Sequence, residues 1–370
     1  MCCGCNKTAI NSHAISGEQS LRFISENGNM KYFKSIRKSN AINGKKILLN
    51  PIGINIASTF KGFCHEHDDN IFYNLDNNSI KTSMQELLLQ AYRSICFVLF
   101  RAGFIKIRNE YSGNFLKVYF SLDKIKDVLK EDIKIDKVPD DIIMNLFNDL
   151  NDERLNKDNK ELDCLVLYKN NIEKYLFLQT DFKKLEGSKK EHIFSENDCD
   201  ICVLYKQVGF KIPVALLNNH FLRIRNEHNT LLITVVPCDN SSEIYWIFEK
   251  RFLPTFRIKW DLIIKKDIYI LNMIESSMMC CEDWYITPSV IDSIPKQRFQ
   301  IIEEDMYFNN ERSPFDEYDL SIFDDLRIEL IEHEDDVTKE KETKKIIEAV
   351  PRKNYIERIK QYNQDVSDNF

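Results

Sequence analysis

Two pairs of metal-ligating residue types lie far apart in the N-terminal part of the chain. Cys2 and Cys5 form a C-x-x-C pair, and Cys64 and His67 form a C-x-x-H pair. Thiolates and a neutral imidazole in two short-spaced pairs are the ligands that a tetrahedral Zn²⁺ site uses. The four residues therefore predict one structural zinc site that organises a small N-terminal module.

Neighbouring residues leave alternatives for two of the ligands. Cys3 could replace Cys2, and His65 could replace His67, although the spacing favours Cys2 and His67. The first pair lies in a loop, whereas residues 66–75 have helical spacing with acids in their first turn, so the second pair lies at a helix start. The N-terminal Met-Cys-Cys is also a palmitoylation candidate, but lipidation leaves the second pair without a role.

A histidine between the two pairs completes a known pattern. The N-terminal region resembles the HNH (ββα-metal) endonucleases, which are built on a treble clef of zinc knuckle, hairpin and helix. The family pattern runs C-x-x-C, a histidine in a motif such as SHI, and C-x-x-C-H at the final helix. Its counterparts in this chain are Cys2-x-x-Cys5, Ser12-His13-Ala14-Ile15 and Cys64-x-x-His67-Asp68.

The resemblance implies a reaction and roles for named residues. His13 would be the general base that activates water. Asp68 would take the place of the family's catalytic-metal histidine and bind Mg²⁺ or Mn²⁺. The substrate would be DNA, whose backbone would be held by basic residues, namely Arg37, Lys38, Lys45 and Lys46.

The chain also departs from the family pattern. His67 stands where the family has cysteine, Asp68 stands where it has histidine, and the family's asparagine and downstream H-x-x-K have no clear counterpart. A structural role for His13, packed against the knuckle, is the competing interpretation. The N-terminal layout, followed by a helix such as Leu87–Arg93, also resembles a group of bacterial proteins that carries no known activity. The HNH-like interpretation is therefore that of a bacterial enzyme. Defence against foreign DNA is one role that such an enzyme would have.

Charge is distributed unevenly along the chain. The formal net charge is −7, yet residues 1–61 carry nine Lys or Arg against two acidic residues. Residues 303–342 carry sixteen acidic residues against four basic ones. A basic N-terminal region is typical of polyanion binding, and solvation of a small module explains the same charges equally well.

Length and composition limit the class of protein. The 370 residues are 43% hydrophobic, with 10 Gly and 9 Pro, which allows two or three domains with cores. We find no run of about 18 apolar residues and no signal-peptide pattern, so we expect no membrane span. We therefore expect a cytoplasmic protein whose eleven cysteines are reduced thiols and metal ligands.

The remaining patterns predict an α+β fold. We expect a zinc treble-clef-like or HNH-like module at 1–80, a helical region at 81–160, a mostly antiparallel β-rich domain at 161–300 and an acidic, partly ordered tail at 301–370. A short helix is predicted at 17–27 and a hairpin turn at 43–44. The predicted strands are Leu165–Tyr168, Tyr175–Leu178, Ile201–Tyr205, Val214–Leu217, Leu231–Val236, Ile244–Phe248 and Trp260–Ile264.

Three functions are compatible with these patterns. The first is an HNH-like, metal-dependent DNA endonuclease, and the second is a non-catalytic zinc module that docks nucleic acid or a protein partner. In the third, the zinc is purely structural and the function lies in the β-rich region. The sequence contains no P-loop, dinucleotide-binding or nucleophile-elbow motif. The Cys199-x-x-Cys202 pair lies in an apolar run without a second pair, which favours core thiols.

Overall fold

The computed structural model describes residues 4–33, 49–77, 81, 83–119, 139–179, 182–185, 191–224, 227–308, 312–348, 350–353 and 357–358. The chain divides into two compact units. The first comprises Met1–Phe100 with Leu165–Val350, and the second comprises Arg101–Cys164 with Pro351–Phe370. The metal-ligating residue types described below belong to the first unit.

The described residues combine strands and helices in an α+β arrangement. The strands are β1 (Ser12–His13), β2 (Asn29–Phe33), β3 (Leu49–Gly53), β4 (Thr59–Phe60), β5 (Glu191–Phe194), β6 (Ile201–Val208), β7 (Val214–Ile224), β8 (Glu227–Pro237), β9 (Ser242–Glu249) and β10 (Trp284–Ile286). The helices are α1 (His65–Asn77), α2 (Met84–Tyr119), α3 (Asp140–Leu178), α4 (Leu253–Ile263), α5 (Asp267–Met279), α6 (Pro288–Ser293), α7 (Lys296–Tyr307), α8 (Asp324–Ile331) and α9 (Asp336–Ile347).

An antiparallel sheet forms the centre of the first unit. Its strand order is β3-β2-β10-β7-β8-β9-β6-β5, and every neighbouring pair is antiparallel. The predicted strands at 201–205, 214–217, 231–236 and 244–248 are confirmed. The N-terminal strands β2 and β3 extend this sheet through β10. The predicted boundaries at 80, 160 and 300 stay predictions.

Both faces of the sheet are buried, which explains why its central strands read as nearly continuous apolar runs. On one face, Trp246 of β9 packs edge-on against Trp260 of α4, with ring centroids 5.3 Å apart. On the other, Tyr175 of α3 packs edge-on against Phe194 of β5, with ring centroids 4.8 Å apart. The sheet is therefore a middle layer between helices.

Three predicted strands are wrong. Residues 165–168 and 175–178 lie in α3, and residues 260–263 lie in α4. Short apolar runs do not distinguish a strand from a buried helix, and in α3 the buried side chains recur at helical spacing. Those side chains are Leu165, Tyr168, Ile172 and Leu176.

The helix predicted at 17–27 is also wrong over most of its length. Only Leu21–Ile24 form a 3₁₀ turn. The chain then reverses at Asn27 and Gly28, whose φ angles are 51° and 74°. Two positive φ angles in succession match the right-handed twist of a hairpin and start β2 instead of extending a helix. The hairpin turn predicted at 43–44 lies outside the described residues.

Helix α2 is long and apolar. By length and composition alone, Met84–Tyr111 would suffice to cross a membrane, but 67% of its most apolar window is buried by the rest of the protein. A buried core helix meets the same test of length and composition. The absence of a membrane span stays a prediction.

The second unit is stabilised by polar contacts between its two helical stretches. Asn109 Nδ2 donates to Asp158 Oδ2 at 2.8 Å, and Arg154 Nη2 donates to the Asn109 carbonyl at 3.4 Å. Several large apolar side chains of this unit are exposed, among them Ile107 at 64% and Tyr111 at 71%. The polar stretch 151–161 lies inside α3.

A buried histidine lies on the central strand β7. His220 is opposite Leu231 of β8 and is 7% exposed. Its Nε2 has no hydrogen-bond partner among the described residues. Burial disfavours the charged imidazolium and lowers the pKa of His220 from 6.5 to about 3.

Replacing His220 with leucine should make the protein less sensitive to acid. Well above pH 6.5 the ring is neutral in both states, so the titration of His220 does not affect stability there. As the pH falls below that value, only the unfolded state takes up the proton, and the native protein loses about 2 kcal/mol by pH 5. Urea unfolding at pH 7.5 and 5 measures this loss. His220→Leu should lack it, and the exposed-histidine control His65→Leu should retain it; equal losses in all three proteins would contradict the assignment.

Candidate metal centre

A small ββα unit positions the residues that could do chemistry. Strands β1 and β4 form a separate two-stranded ladder, with His13 opposite Thr59, and α1 follows directly. The ring of Phe63 joins this ladder to α1 by an edge-on contact with Phe72 at 5.1 Å. A Cβ at Gly62 would overlap the Phe60 ring, so glycine is required immediately before the ligand segment.

Three of the four predicted zinc ligands meet at the start of α1. The ligand atoms of Cys5, Cys64 and His67 all lie within 4.8 Å of one another, and Cys64 Sγ is 3.1 Å from His67 Nδ1. Cys64 is held in place by an isolated bridge to Ala9. The group could hold a metal ion.

The donor chemistry of the cluster suits zinc. Two thiols and an imidazole are borderline-soft ligands, and bonds of about 2.0–2.3 Å in a tetrahedron separate the donors by distances compatible with this cluster. The backbone N–H of His67 lowers the pKa of the Cys64 thiol, and contacts with Cys5 and the His67 ring act in the same direction. The thiolate is the form that binds a metal.

The structure separates the two histidines that the sequence offered as alternatives. His65 is 79% exposed at its side chain, and its Nδ1 lies 2.7 Å from Asp69 Oδ2. It lies outside the ligand cluster, whereas His67 lies within it. Cys2 and Cys3 lie outside the described residues.

His13 is held by a backbone contact across the ladder. Its Nδ1 donates to the Ala57 carbonyl at 3.1 Å, since a carbonyl oxygen only accepts. This fixes the tautomer in which Nε2 carries the lone pair. The absent side chain of Gly17 leaves room at that edge, where a Cβ would lie 3.6 Å from Nε2. Burial, and then the positive charge of Arg93, lower the pKa of His13.

Asp68 lies one residue beyond the cluster, on the same turn of α1. Its Oδ1 is buried and makes no short hydrogen bond with the described residues, and the hydroxyl of Ser12, which lies beside the carboxyl, lowers its pKa. Burial raises the pKa of Asp68, and Arg93 opposes that rise. A carboxylate oxygen that is buried without a partner can accept a hard cation, with water and substrate completing the shell.

Arg93 of α2 is the residue that the sequence analysis missed. It is 1% exposed, donates to both oxygens of Asp76 at 2.7 Å, and lies 3.9 Å from Asp68 Oδ1. Its guanidinium also covers the Phe72 ring at 4.4 Å. An arginine inside the apolar stripe of a helix is the signal that would have revealed it, because a buried charge requires partners.

The other candidate residues divide into two groups. Arg37, Lys38, Lys45 and Lys46, predicted to bind nucleic acid, lie outside the described residues. Cys199 and Cys202 are buried, and burial raises the pKa of both thiols, that of Cys202 to about 12. Protonated buried thiols behave as core residues.

No protein-family model, no curated protein and no solved structure matches the chain.

Proposed function

We propose that this protein is an HNH-like, metal-dependent endonuclease that cleaves DNA, with zinc at Cys5, Cys64 and His67 as a structural ion. The observation that carries the proposal is the tether of His13 Nδ1 to the Ala57 carbonyl, 3.1 Å away, on a ββα unit fixed by the cysteine–histidine cluster. This hydrogen bond leaves the other ring nitrogen, Nε2, with its lone pair available, as a general base requires.

His13 is suited to accept a proton near neutral pH. Its lowered pKa, caused by burial and by Arg93, keeps the ring neutral at pH 7. Nε2 makes no hydrogen bond with the described residues, so water can occupy that position. The deprotonated water would attack the phosphodiester, and His13 would hold the proton.

Asp68 is the residue of the unit that would hold a catalytic cation. Its Oδ1 is buried and makes no short hydrogen bond with the described residues, so it could accept a Mg²⁺ or Mn²⁺ in competition with Arg93, which lies 3.9 Å away. Such an ion polarises the phosphate and stabilises the leaving oxygen. Arg37, Lys38, Lys45 and Lys46 would bind the DNA backbone without reading its sequence.

Replacing His13 with alanine should lower DNA cleavage by about 10²- to 10⁴-fold, which is the contribution of a positioned general base. Nicking of supercoiled plasmid in Mg²⁺ or Mn²⁺ measures the rate. The matched control is His65→Ala, which removes an exposed histidine outside the cluster and should leave the rate unchanged. Zinc content should be the same in both variants. Undiminished nicking by His13→Ala would exclude the proposed base.

A second candidate is a zinc module that docks nucleic acid without cutting it. It is favoured by Arg93, which neutralises Asp76 and lies 3.9 Å from Asp68, where it competes with a cation. In that case DNA would bind with a steep dependence on salt, because lysine and arginine contacts to phosphate release counterions. Binding without nicking, unaffected by His13→Ala, would establish this function.

A further inference from the structure

A pocket of about 600 Å³ opens on the first unit, far along the chain from the metal ligands. Helices α4 and α5 form two of its sides, the loop at 314–317 forms a third, and Lys341 of α9 closes the rim. Pockets of this size hold small organic ligands. The proposed nuclease chemistry does not use this pocket.

Four lysines surround the pocket, and two of them lack a counter-ion among the described residues. They are Lys259, Lys265, Lys266 and Lys341, against a single acidic lining residue, Glu317. Lys266 pairs with Glu334 at 2.5 Å, and Lys341 pairs with Glu317 at 2.6 Å. Neither Lys259 nor Lys265 has a carboxylate partner within the described part of the chain. The rim therefore has surplus positive charge on a protein whose net charge is −7, which attracts an anion.

The walls below this rim are apolar and include two aromatic rings. Tyr269 is 36% exposed, and the half-buried Phe315 ring lies 5.4 Å from Lys259 Nζ. Leu262 and Met273 add aliphatic surface. A flat ring can stack against such side chains, and a phosphate can lie beside the lysine above them.

The polar groups at the bottom are already engaged. Asn272 Nδ2 donates to Glu342 Oε1 at 3.0 Å, and Asn272 Oδ1 accepts from Arg327 at 2.7 Å. The Ser276 hydroxyl donates to the Asn272 carbonyl at 2.8 Å. A ligand therefore gains polar contacts at the lysine rim and apolar contacts on the walls.

We propose that this pocket binds a nucleoside phosphate. The phosphate would contact Lys259 and Lys265, and the base would stack on Tyr269 or Phe315. Lysine binds phosphate as a point charge, and aromatic side chains stack on every base. This assignment is independent of the metal centre and of the proposed nuclease activity.

Calorimetric titration of the full chain with ATP, GTP, CTP and UTP, without divalent metal, tests the proposal. At least one of the four should bind. Lys259→Glu and Lys265→Glu should each weaken that binding by about tenfold or more, because each turns an attraction for phosphate into a repulsion. Tyr269→Leu should weaken nucleotide binding while the exposed position keeps the protein folded.

Matched controls separate the pocket from general charge and from the metal centre. Lys296→Glu makes the same charge change at an exposed lysine on α7, away from the pocket, and should leave the affinity unchanged. His13→Ala should also leave it unchanged, so failure of the nuclease proposal does not affect this result.

Three outcomes would overturn the assignment. One is no heat of binding with any of the four nucleotides. Another is inorganic triphosphate binding as tightly as the best nucleotide, which would remove the role of the rings. The third is binding only to vesicles containing phosphatidylserine, which would assign the lysines to a lipid headgroup, with the exposed Ile258 and Leu262 inserted beside it.

Discussion

Replacing Cys64 with serine should cost the protein its metal. Cys64 is the central ligand, 1% exposed and 3.1 Å from His67 Nδ1, and a serine hydroxyl is a poor zinc ligand. Losing an outer contact of a zinc ligand already weakens binding by about 10- to 100-fold, so losing a ligand should exceed a hundredfold. Purified protein should contain one zinc per chain, and Cys64→Ser should contain almost none.

The same change should destabilise the first unit. Binding of a structural zinc is coupled to folding, because the site does not exist in the unfolded chain. The melting temperature should fall by roughly 7 °C, which corresponds to about 4 kcal/mol for a unit of this size. A chelator such as phenanthroline should lower the melting temperature of the native protein and leave that of Cys64→Ser unchanged.

Cys280→Ser is the matched control for this experiment. Cys280 lies outside the cluster, and its Sγ donates to the Arg312 carbonyl at 3.6 Å, a contact that a hydroxyl can keep. It should retain both the zinc and the melting temperature. Zinc that survives Cys64→Ser would show that the three ligand atoms do not bind it. Testing Cys2→Ser against Cys3→Ser then identifies the remaining ligand.

The sequence predicted the ligand cluster because short spacing places two ligands on one turn. Cys64 and His67 are three residues apart at a helix start, a local relation that spacing determines. Spacing also favoured His67 over His65, and the structure places His67 in the cluster while the ring of His65 lies 2.7 Å from Asp69 instead. Cys5 comes close to the turn that carries Cys64 and His67 because β1 pairs with β4. No local sequence pattern specifies that pairing.

The strands of the sheet were predicted where residue propensity and flanking turn residues agreed. The prediction was wrong where tertiary packing decided between helix and strand. Runs such as 231–236 and 244–248 are rich in β-branched or aromatic residues and end at turn residues, so strand propensity and the turn residues both predict a strand. Residues 165–168 were apolar enough for a strand, but they belong to a long helix whose buried stripe includes Ile172 and Leu176. The participation of β2 and β3 in the large sheet is a non-local pairing that spacing does not encode.

The acidic C-terminal region contributes to a buried network of salt bridges that the composition of the sequence did not predict. Arg327 and Glu275 are both 0% exposed, and their side chains form a salt bridge. Arg327 also pairs with Glu342 and donates to Asn272 Oδ1 at 2.7 Å and to Ser321 Oγ at 3.1 Å. The sequence analysis expected residues 301–370 to be an acidic, partly ordered tail, whereas Arg327 of α8 pairs there with Glu342 of α9 and with Glu275 of α5.

Replacing Arg327 with methionine should lower the free energy of unfolding by about 3–5 kcal/mol, as expected when one partner of a buried pair is removed. The cost arises because Glu275 and Glu342 lose a buried counter-ion. Urea unfolding at pH 7 measures it. Lys344→Met is the matched control: it breaks a pair with Glu340 whose side chains are 52% and 70% exposed, so it should cost about 1 kcal/mol or less.

The pH dependence and a second substitution identify the unpaired carboxylate as the cause. Burial already raises the pKa of Glu275 above 4.5, and losing Arg327 raises it further. A raised carboxyl pKa costs stability as the pH rises through it, so the deficit should be larger at pH 7 than at pH 5. Adding Glu275→Gln to Arg327→Met should restore more than half of the loss, because an amide oxygen still accepts from the Ile322 and Phe323 backbone N–H groups. The loss in free energy of unfolding could instead be independent of pH and unchanged by Glu275→Gln. That result would show that lost packing, and not the unpaired Glu275 carboxylate, destabilises the variant.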